Sequence, residues 1–533
     1  MRADMYAGLE ARDIGVGSIV HRLGPLEPNR RVARPDRDLW RNPDRDVVNS
    51  HERRRIIDSI PTECELGLSR GYNRPMLTNW QAIDRAIDNK LESSLEELSR
   101  LCAQPSVSAQ GVGIQECAEL VAEMLQARGF DTKVLATDGH PVVFGERSGR
   151  GDRTLLLYNH YDVQPAEPLE LWTTPPFEPS RRNGQLFARG VSDDKGHIQC
   201  RLAALDAFLE VEGELPCSVK FVIEGEEEVG SVHLPEFVAR HSKLLAADAC
   251  LWEFGQLNHE GTPVQDAGMR GICYVELSVE TASRDSHSGT SGSIFPNAAW
   301  RLVWALRTLK GSDEMIRLPG FYDRVVPPTE RDLSLLEQIP DPSDHFREFY
   351  GIKRYLKGIE GGLDLLREQV FVPTCTICGL TAGYQGPGSK TVLPARASAK
   401  VDFRLVPDQR PSEVLEQLRS HLDAEGFPDV EIRELGSEPP ARTDPDDPFL
   451  QLVVNSAVEV YGVPQLISPL VGGSGPNHAF IHGLGVPVAT AGLGYPGSNV
   501  HAPNENIVID YFVRGARHTA RVLGYFGAGV TLP

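Results

Sequence analysis

The chain reads as an α/β protein: a mostly parallel-sheet domain interrupted by an inserted ferredoxin-like α+β domain. Three observations predict it. From Leu91 to about Gly268, apolar runs alternate with amphipathic periods, the pattern of strands covered by helices. From Gly271 the order becomes strand, helix, two strands, helix, strand. After a Pro- and Asp-rich linker over 438–448 the first pattern returns, so the small domain interrupts the large one.

Residues 1–75 carry Arg30-Arg31 and Arg53-Arg54-Arg55, several prolines and few apolar periods. They read as a weakly ordered N-terminal extension. From Met76 onward, Trp80, Ile83, Ile87, Leu91, Leu95, Leu98 and Leu101 predict one sustained amphipathic helix. A helix over 113–129 leads to a strand over 133–135 and then to Leu155-Leu156-Leu157-Tyr158-Asn159-His160. That run stops in His160-Tyr161-Asp162, so a buried strand delivers two polar side chains at its carboxyl end. In open α/β sheets this edge binds ligands. Asp193-Asp194-Lys195-Gly196 opens a helix over 196–211, with Ile198, Leu202, Leu205, Phe208 and Leu209 at helical spacing. Strands over 219–223 and 249–252 follow, separated by a helix over 234–242. Residues 76–268 thus form the first part of the large domain.

The inserted domain spans 269–440. Its strands fall at 274–281, 374–384, 397–406 and 430–435, and its helices at 297–309 and 411–424. A long charged insert occupies 311–372. Residues 441–533 return to the large domain, where a helix over 449–461 and a strand over 486–491 complete the first sheet.

A chain of 533 residues exceeds what one core accommodates. Its formal charge of -20 argues against nucleic acid and anionic membrane as partners. No run of about 18 apolar residues occurs, and the amino terminus lacks the basic-then-apolar pattern of a secretion signal, so the expected location is cytoplasmic. The nine cysteines, an odd number without paired spacings, suit free thiols in a reducing compartment. Cys375-Thr376-Ile377-Cys378 sits in a β-prone segment, where this spacing points the two sulfurs to opposite faces and against a metal or redox role. Gly492-Leu493-Gly494-Tyr495-Pro496-Gly497 is formally G-x-G-x-x-G. Pro496 and the lack of a following helix make it a turn and not a dinucleotide site. No G-x-S-x-G elbow supports serine hydrolysis.

Two further strands run into acids. Phe221-Val222-Ile223 meets Glu224-Gly225-Glu226-Glu227-Glu228-Val229-Gly230, and Cys250-Leu251-Trp252 meets Glu253. Carboxylates gathered at one sheet edge repel one another unless cations lie between them. His501, in Asn499-Val500-His501-Ala502-Pro503-Asn504-Glu505, follows the last strand after the glycine-rich turn. Two histidines, several carboxylates and no cysteine form a ligand set for zinc, manganese or cobalt.

His160-x-Asp162, Ser192-Asp193-Asp194-Lys195-Gly196, Glu227-Glu228-x-Gly230 and the late His501 closely resemble the M20 family of metallopeptidases. The likeness covers about residues 76–533. Asp162-Val163-Gln164-Pro165, the stretch from Trp172 to Pro179 and Glu224-Gly225-x-Glu227-Glu228 suggest its dipeptidase branch, which includes carnosinase-type and carboxypeptidase G2-like enzymes. The resemblance implies a di-metal catalytic domain whose inserted domain serves as lid and dimerisation module. It also implies two divalent ions per subunit, zinc foremost, with manganese or cobalt as alternatives. Asp193 then matches the carboxylate bridging both metals, His160 and Glu253 the remaining ligands of one, and Glu228 and His501 those of the other. Asp162 matches the acid that orients His160, and Glu227 the general base; the residues alone leave Glu226, Glu227 and Glu228 interchangeable. His287 matches the lid histidine that stabilises the oxyanion, often from the partner subunit. Arg404 matches the clamp on the substrate carboxylate, and Thr391, Gly473 and Ser474 further substrate contacts. Relatives of the carnosinase branch often carry Ile where Gly475 stands.

The implied reaction is hydrolysis of the amide bond of dipeptides or short peptides with a free C-terminal carboxylate, by a metal-bridging water, in a homodimer joined through the lid. N-acyl-amino-acid hydrolysis at the same centre is the alternative, and a non-catalytic metal-binding scaffold a second.

Overall fold

A six-stranded sheet is set by the apolar run at Leu155. Leu155, Leu156, Leu157 and Tyr158 are all fully buried, so both faces of their strand are covered. Leu155 and Leu157 enter one core with Leu202, Leu205, Phe208 and Leu523, while Leu156 and Tyr158 enter the other with Val222, Trp252 and Phe480. The computed structural model describes residues 78–532. The extension over 1–75 expected from composition lies outside the described residues.

Across the sheet the order is Asp131–Leu135, Val142–Arg147, Ser218–Glu224, Thr154–His160, Ala249–Trp252, Val488–Thr490. The last four strands run parallel, and the first two join antiparallel. This is the mostly parallel sheet the alternation predicts. Parallel strands place their carboxyl ends on one edge, so His160 pairs directly with Glu224. The helices Lys195–Glu212 and Ile509–Ala528 share the first of the two cores.

A second sheet, wholly antiparallel, has the order Thr374–Ala382, Arg396–Leu405, Gly271–Glu280, Glu431–Glu438. Numbered along the chain this is 2-3-1-4, the ferredoxin-like arrangement. Burial alternates along Gly271–Glu280, and Cys273, Val275 and Leu277 pack with Leu302 and Leu418 of the helices Ala298–Leu309 and Pro411–Ala424.

Five local readings differ, one being that the helix over 449–461 is two, Pro448–Ser456 and Val458–Tyr461. The helix expected from Met76 is two, Trp80–Asn89 and Leu91–Ala103, broken at Lys90. Lys90 leaves helical geometry (φ -94°, ψ 3°), and the break lets Ile83 and Ile87 on one piece and Leu95 and Leu98 on the other reach the same core. The strand Val142–Arg147 was hidden by its brevity, with Gly145 and two charges following Val142-Val143-Phe144. The helix over 234–242 stops at Arg240 and restarts at Ser242. The charged insert contains Glu330–Leu336, Ser343–Tyr350 and Gly362–Phe371. Leu336, Leu366, Val370 and Phe371 close over Leu470, and Asp332 pairs with Arg442 at 2.7 Å, which ties the insert to the linker. Cys375 is buried and Cys378 exposed, and all eight cysteines among the described residues are free.

Candidate metal centre

Asp193 stands between two imidazoles. Its Oδ1 lies 3.0 Å from His160 Nε2, and its Oδ2 lies 3.0 Å from His501 Nε2. On the first side Glu253 Oε2 approaches His160 Nε2 at 3.9 Å; on the second, Glu228 Oε2 approaches His501 Nε2 at 3.0 Å. One carboxylate therefore offers one oxygen to each of two donor sets.

Local structure fixes each member. His160 and Glu253 come from the ends of adjacent parallel strands. Asp193 precedes a helix and hangs from a loop held by Glu505, whose buried carboxylate accepts from the backbone N–H of Gly190 (2.9 Å), Ser192 (2.8 Å) and Asp193 (3.0 Å), and from Arg189 Nη1 (2.8 Å). Gly190 is required in that loop: its φ is +80°, and a Cβ there would meet Val163 at 2.5 Å. His501 arrives on a turn in which Asn499, His501 and Asn504 all have positive φ, a conformation that Asn and His tolerate better than most residues.

The acid run divides by partner. Glu224 accepts from Tyr158 Oη at 2.6 Å and Ser231 Oγ at 2.8 Å, and burial pushes its carboxyl up to about 8. Glu226 sits 2.8 Å from His233 Nδ1. Only Glu227 and Glu228 remain for the cluster, both in the short turn Glu227–Val229. Asp162 holds that turn: its Oδ1 accepts from Glu227 N at 3.2 Å and its Oδ2 from Glu228 N at 3.0 Å. The same Oδ1 is 3.4 Å from His160 Nδ1, so one fully buried carboxylate aligns members of both donor sets.

The electrostatics call for positive charge. Burial, reinforced by Glu253 nearby, raises the Glu227 carboxyl well above the usual range, and burial raises Glu253 likewise. Burial opposes the charged forms of His160 and Asp193. Their mutual hydrogen bond, with Asp162 on one side and His501 on the other, still holds His160 up and Asp193 down. Asp193 and Glu228 lift His501 to about 10. Glu253 Oε2 is buried without a hydrogen-bond partner, an atom that a cation would satisfy. The oxygen and nitrogen donors, without sulfur, fit a hard or borderline divalent ion.

Sequence reasoning missed four supporting residues. Asp194 comes within ligand distance of His160 and Glu253, their donor atoms lying within 4.8 Å of one another. One of its oxygens, however, faces the strand and accepts from the Asn159 side chain and from His160 N, so Asp193 remains the residue that reaches both sides. Glu505 gave no signal beyond following His501 by four residues in a polar loop. Gln164 donates to Glu228 Oε2 at 2.9 Å. Arg201 is buried beneath the edge, donating to Asn159 Oδ1 and to the carbonyls of Tyr158 and Trp252.

The remaining expected residues form two groups. Arg404 Nη1 donates to Ser474 Oγ at 2.8 Å, and Gly473 O accepts from Arg270 N at 3.0 Å. The same loop approaches the acids: a Cβ on Gly475 would lie 3.9 Å from Glu227 Oε1 and 3.0 Å from Met269 Sδ. His287 and Thr391 pair with each other, Oγ1 to Nε2 at 3.3 Å, on the exposed ladder of Ser286–His287 and Val392–Leu393. Neither hydrogen-bonds to the cluster.

Similar known proteins are dipeptidases and a carboxypeptidase. Over 352 residues the chain is 30% identical to the Beta-Ala-His dipeptidase of Rattus norvegicus, covering 65% of this chain and 70% of that one. It is 29% identical over 480 residues to the Cys-Gly metallodipeptidase of Saccharomyces cerevisiae, covering 84% and 98%. Among solved structures, the M20 family metallo-carboxypeptidase Sso-CP2 from Sulfolobus solfataricus is similar with a TM-score of 0.79 at 36% identity, covering 82% of this chain and 99% of that one. Residues 156–524 match the model of Peptidase family M20/M25/M40, and with more than half of its length so matched, the chain belongs to that family of metal-dependent peptidases.

Proposed function

We propose that the chain hydrolyses dipeptides with a free C-terminal carboxylate, using two divalent ions, zinc foremost, with manganese or cobalt as alternatives. The observation that carries the reading is the double reach of Asp193, one oxygen toward His160 and the other toward His501. In this assignment His160 and Glu253 would hold one ion and Glu228 and His501 the other, with Asp193 within reach of both. Such ions would polarise the scissile carbonyl and acidify an attacking water.

The chain's own residues do the rest. The Glu227 carboxyl accepts no hydrogen bond from the described residues, and it sits in a turn fixed by Asp162. It is free to take a proton from the attacking water and return it to the leaving nitrogen. Arg404, steadied by Ser474, offers a planar fork to the substrate carboxylate. Gly473 and Gly475 keep the loop between that fork and Glu227 open. His287 and Thr391, exposed and apart from the cluster, complete the oxyanion site from a second copy.

A two-fold dimer suits the helix Ala298–Leu309. Trp300 and Trp304 stack at 5.9 Å and are each more than half exposed, and Ile294 and Phe295, just before the helix, are exposed as well. No helix among the described residues is long and apolar enough to cross a membrane, and the free cysteines suit a reducing cytoplasm.

N-acyl-amino-acid hydrolysis would use the same centre, but the dipeptidases of rat and yeast favour dipeptides. Metal analysis joined to a screen of dipeptides and N-acyl amino acids tests the reading. About two divalent ions per chain and dipeptide turnover are expected. Turnover of N-acyl amino acids alone, or full activity without metal, would overturn it.

A further inference from the structure

Between the insert and the short sheet of Gln256–Leu257, Pro263–Asp266 and Leu466–Ser468 lies a cavity of about 550 Å³. None of the five proposed metal ligands lines it, and neither does Glu227. Its apolar wall is made by Leu336, Ile339, Phe346, Leu366 and Val370 from the insert together with Leu470.

Of the three carboxylates that line the cavity, only Asp266 is buried. Asp266 is 4% exposed. One of its oxygens takes a long hydrogen bond from Gln256 Nε2 at 3.4 Å, and the other accepts none among the described residues. No Lys or Arg is among the lining residues, while Glu260 and Asp341 add further acid. Burial pushes the Asp266 carboxyl up to about 7, as expected of an acid with no counter-charge. His259 and His345, whose rings lie 4.1 Å apart, add an aromatic wall.

A bare inorganic cation would leave the apolar wall unused. An amino acid or peptide would bring a carboxylate for which the cavity has no cation. An apolar body ending in one ammonium uses both features. We propose that this cavity binds a primary amine with an aromatic or branched apolar body, its ammonium paired with Asp266.

Calorimetric titration of the metal-loaded, full-length protein with phenethylamine tests this. One site per chain is expected. Binding should weaken at least about tenfold in Asp266→Asn, which removes a charge-assisted hydrogen bond. Phenylalanine, the same body with an added carboxylate, should bind at least about tenfold more weakly than phenethylamine. Phe346→Ala, on an exposed helix of the insert, should weaken binding several-fold and decides the matter if Asp266→Asn fails to fold. Absence of binding to the wild type, undiminished binding in the folded Asp266→Asn protein, or equal affinity for phenylalanine would overturn the proposal. So would loss of binding in Asp193→Asn, since the amine would then sit on the metal cluster.

Discussion

Glu227 and Glu228 are neighbours in the chain, share one anchor in Asp162, and point to different tasks. Glu228 is engaged by His501 and Gln164, whereas the Glu227 carboxyl has no hydrogen-bond donor among the described residues. Glu227→Gln should therefore keep both metals while turnover falls at least about 10²-fold, the usual worth of a positioned proton carrier. Metal analysis and steady-state kinetics on one preparation check it; metal lost together with activity would exchange the two roles. Glu505 belongs to the same scale. It gathers three backbone N–H groups around Asp193, so Glu505→Gln should lower metal affinity by about 10–100-fold, measured by competition with a chelator. The two residues differ in legibility. The acids that follow apolar strands stood out because a sheet edge concentrates them, and Glu253 and Glu228 reach His160 and His501 there. Glu505 sits among polar loop residues, and nothing local marks a carboxylate whose partners lie more than 300 positions earlier.

The parallel strands were legible as elements because a continuous apolar run has few alternatives to burial on both faces. What periodicity could not supply is long-range. The break at Lys90 serves a core assembled from distant segments, and the strand Val142–Arg147 is stabilised by its neighbours and not by its composition. The insert is charged on average yet supplies the four apolar residues that cover Leu470. The helix Ile509–Ala528 carries a consequence for pH. His518 is buried on it, 2.9 Å from Val453 O and 3.2 Å from Ser456 Oγ, and burial pushes its imidazole down to about 4. The folded state thus binds this proton less readily than the unfolded chain, whose histidines titrate near 6.5. The neutral imidazole's contribution is intact above pH 6.5 and is lost as pH falls toward 4, by up to about 3 kcal/mol. His518→Gln should lose less stability than the wild type between pH 7 and 5, read from denaturant midpoints at each pH. Equal losses in both proteins would show that His518 does not drive the acid transition.

At the scale of the whole molecule, His287 stands apart from the acids. It is exposed on the short ladder of Ser286–His287 and Val392–Leu393 and touches Thr391, not the cluster. A second copy docked on the Trp300–Trp304 face would bring another such histidine, and a separate domain that closes over substrate can exclude water when the oxyanion site forms. Trp300→Glu should then shift the protein to monomer in sedimentation and cut turnover, whereas an unchanged dimer would remove this helix from the interface. The stronger test mixes two inactive proteins, His287→Ala and Glu227→Gln, under conditions that exchange subunits. If His287 acts across the dimer, the site of the His287→Ala chain keeps its own Glu227 and receives His287 from the Glu227→Gln chain. One site of each mixed dimer is then whole, and activity returns toward half of that dimer's wild-type value. If His287 acts within its own chain, each site in the mixture lacks one residue and stays dead. Mixed dimers demonstrated by differential tagging, with no activity regained, would therefore rule out the trans arrangement while leaving the metal centre untouched.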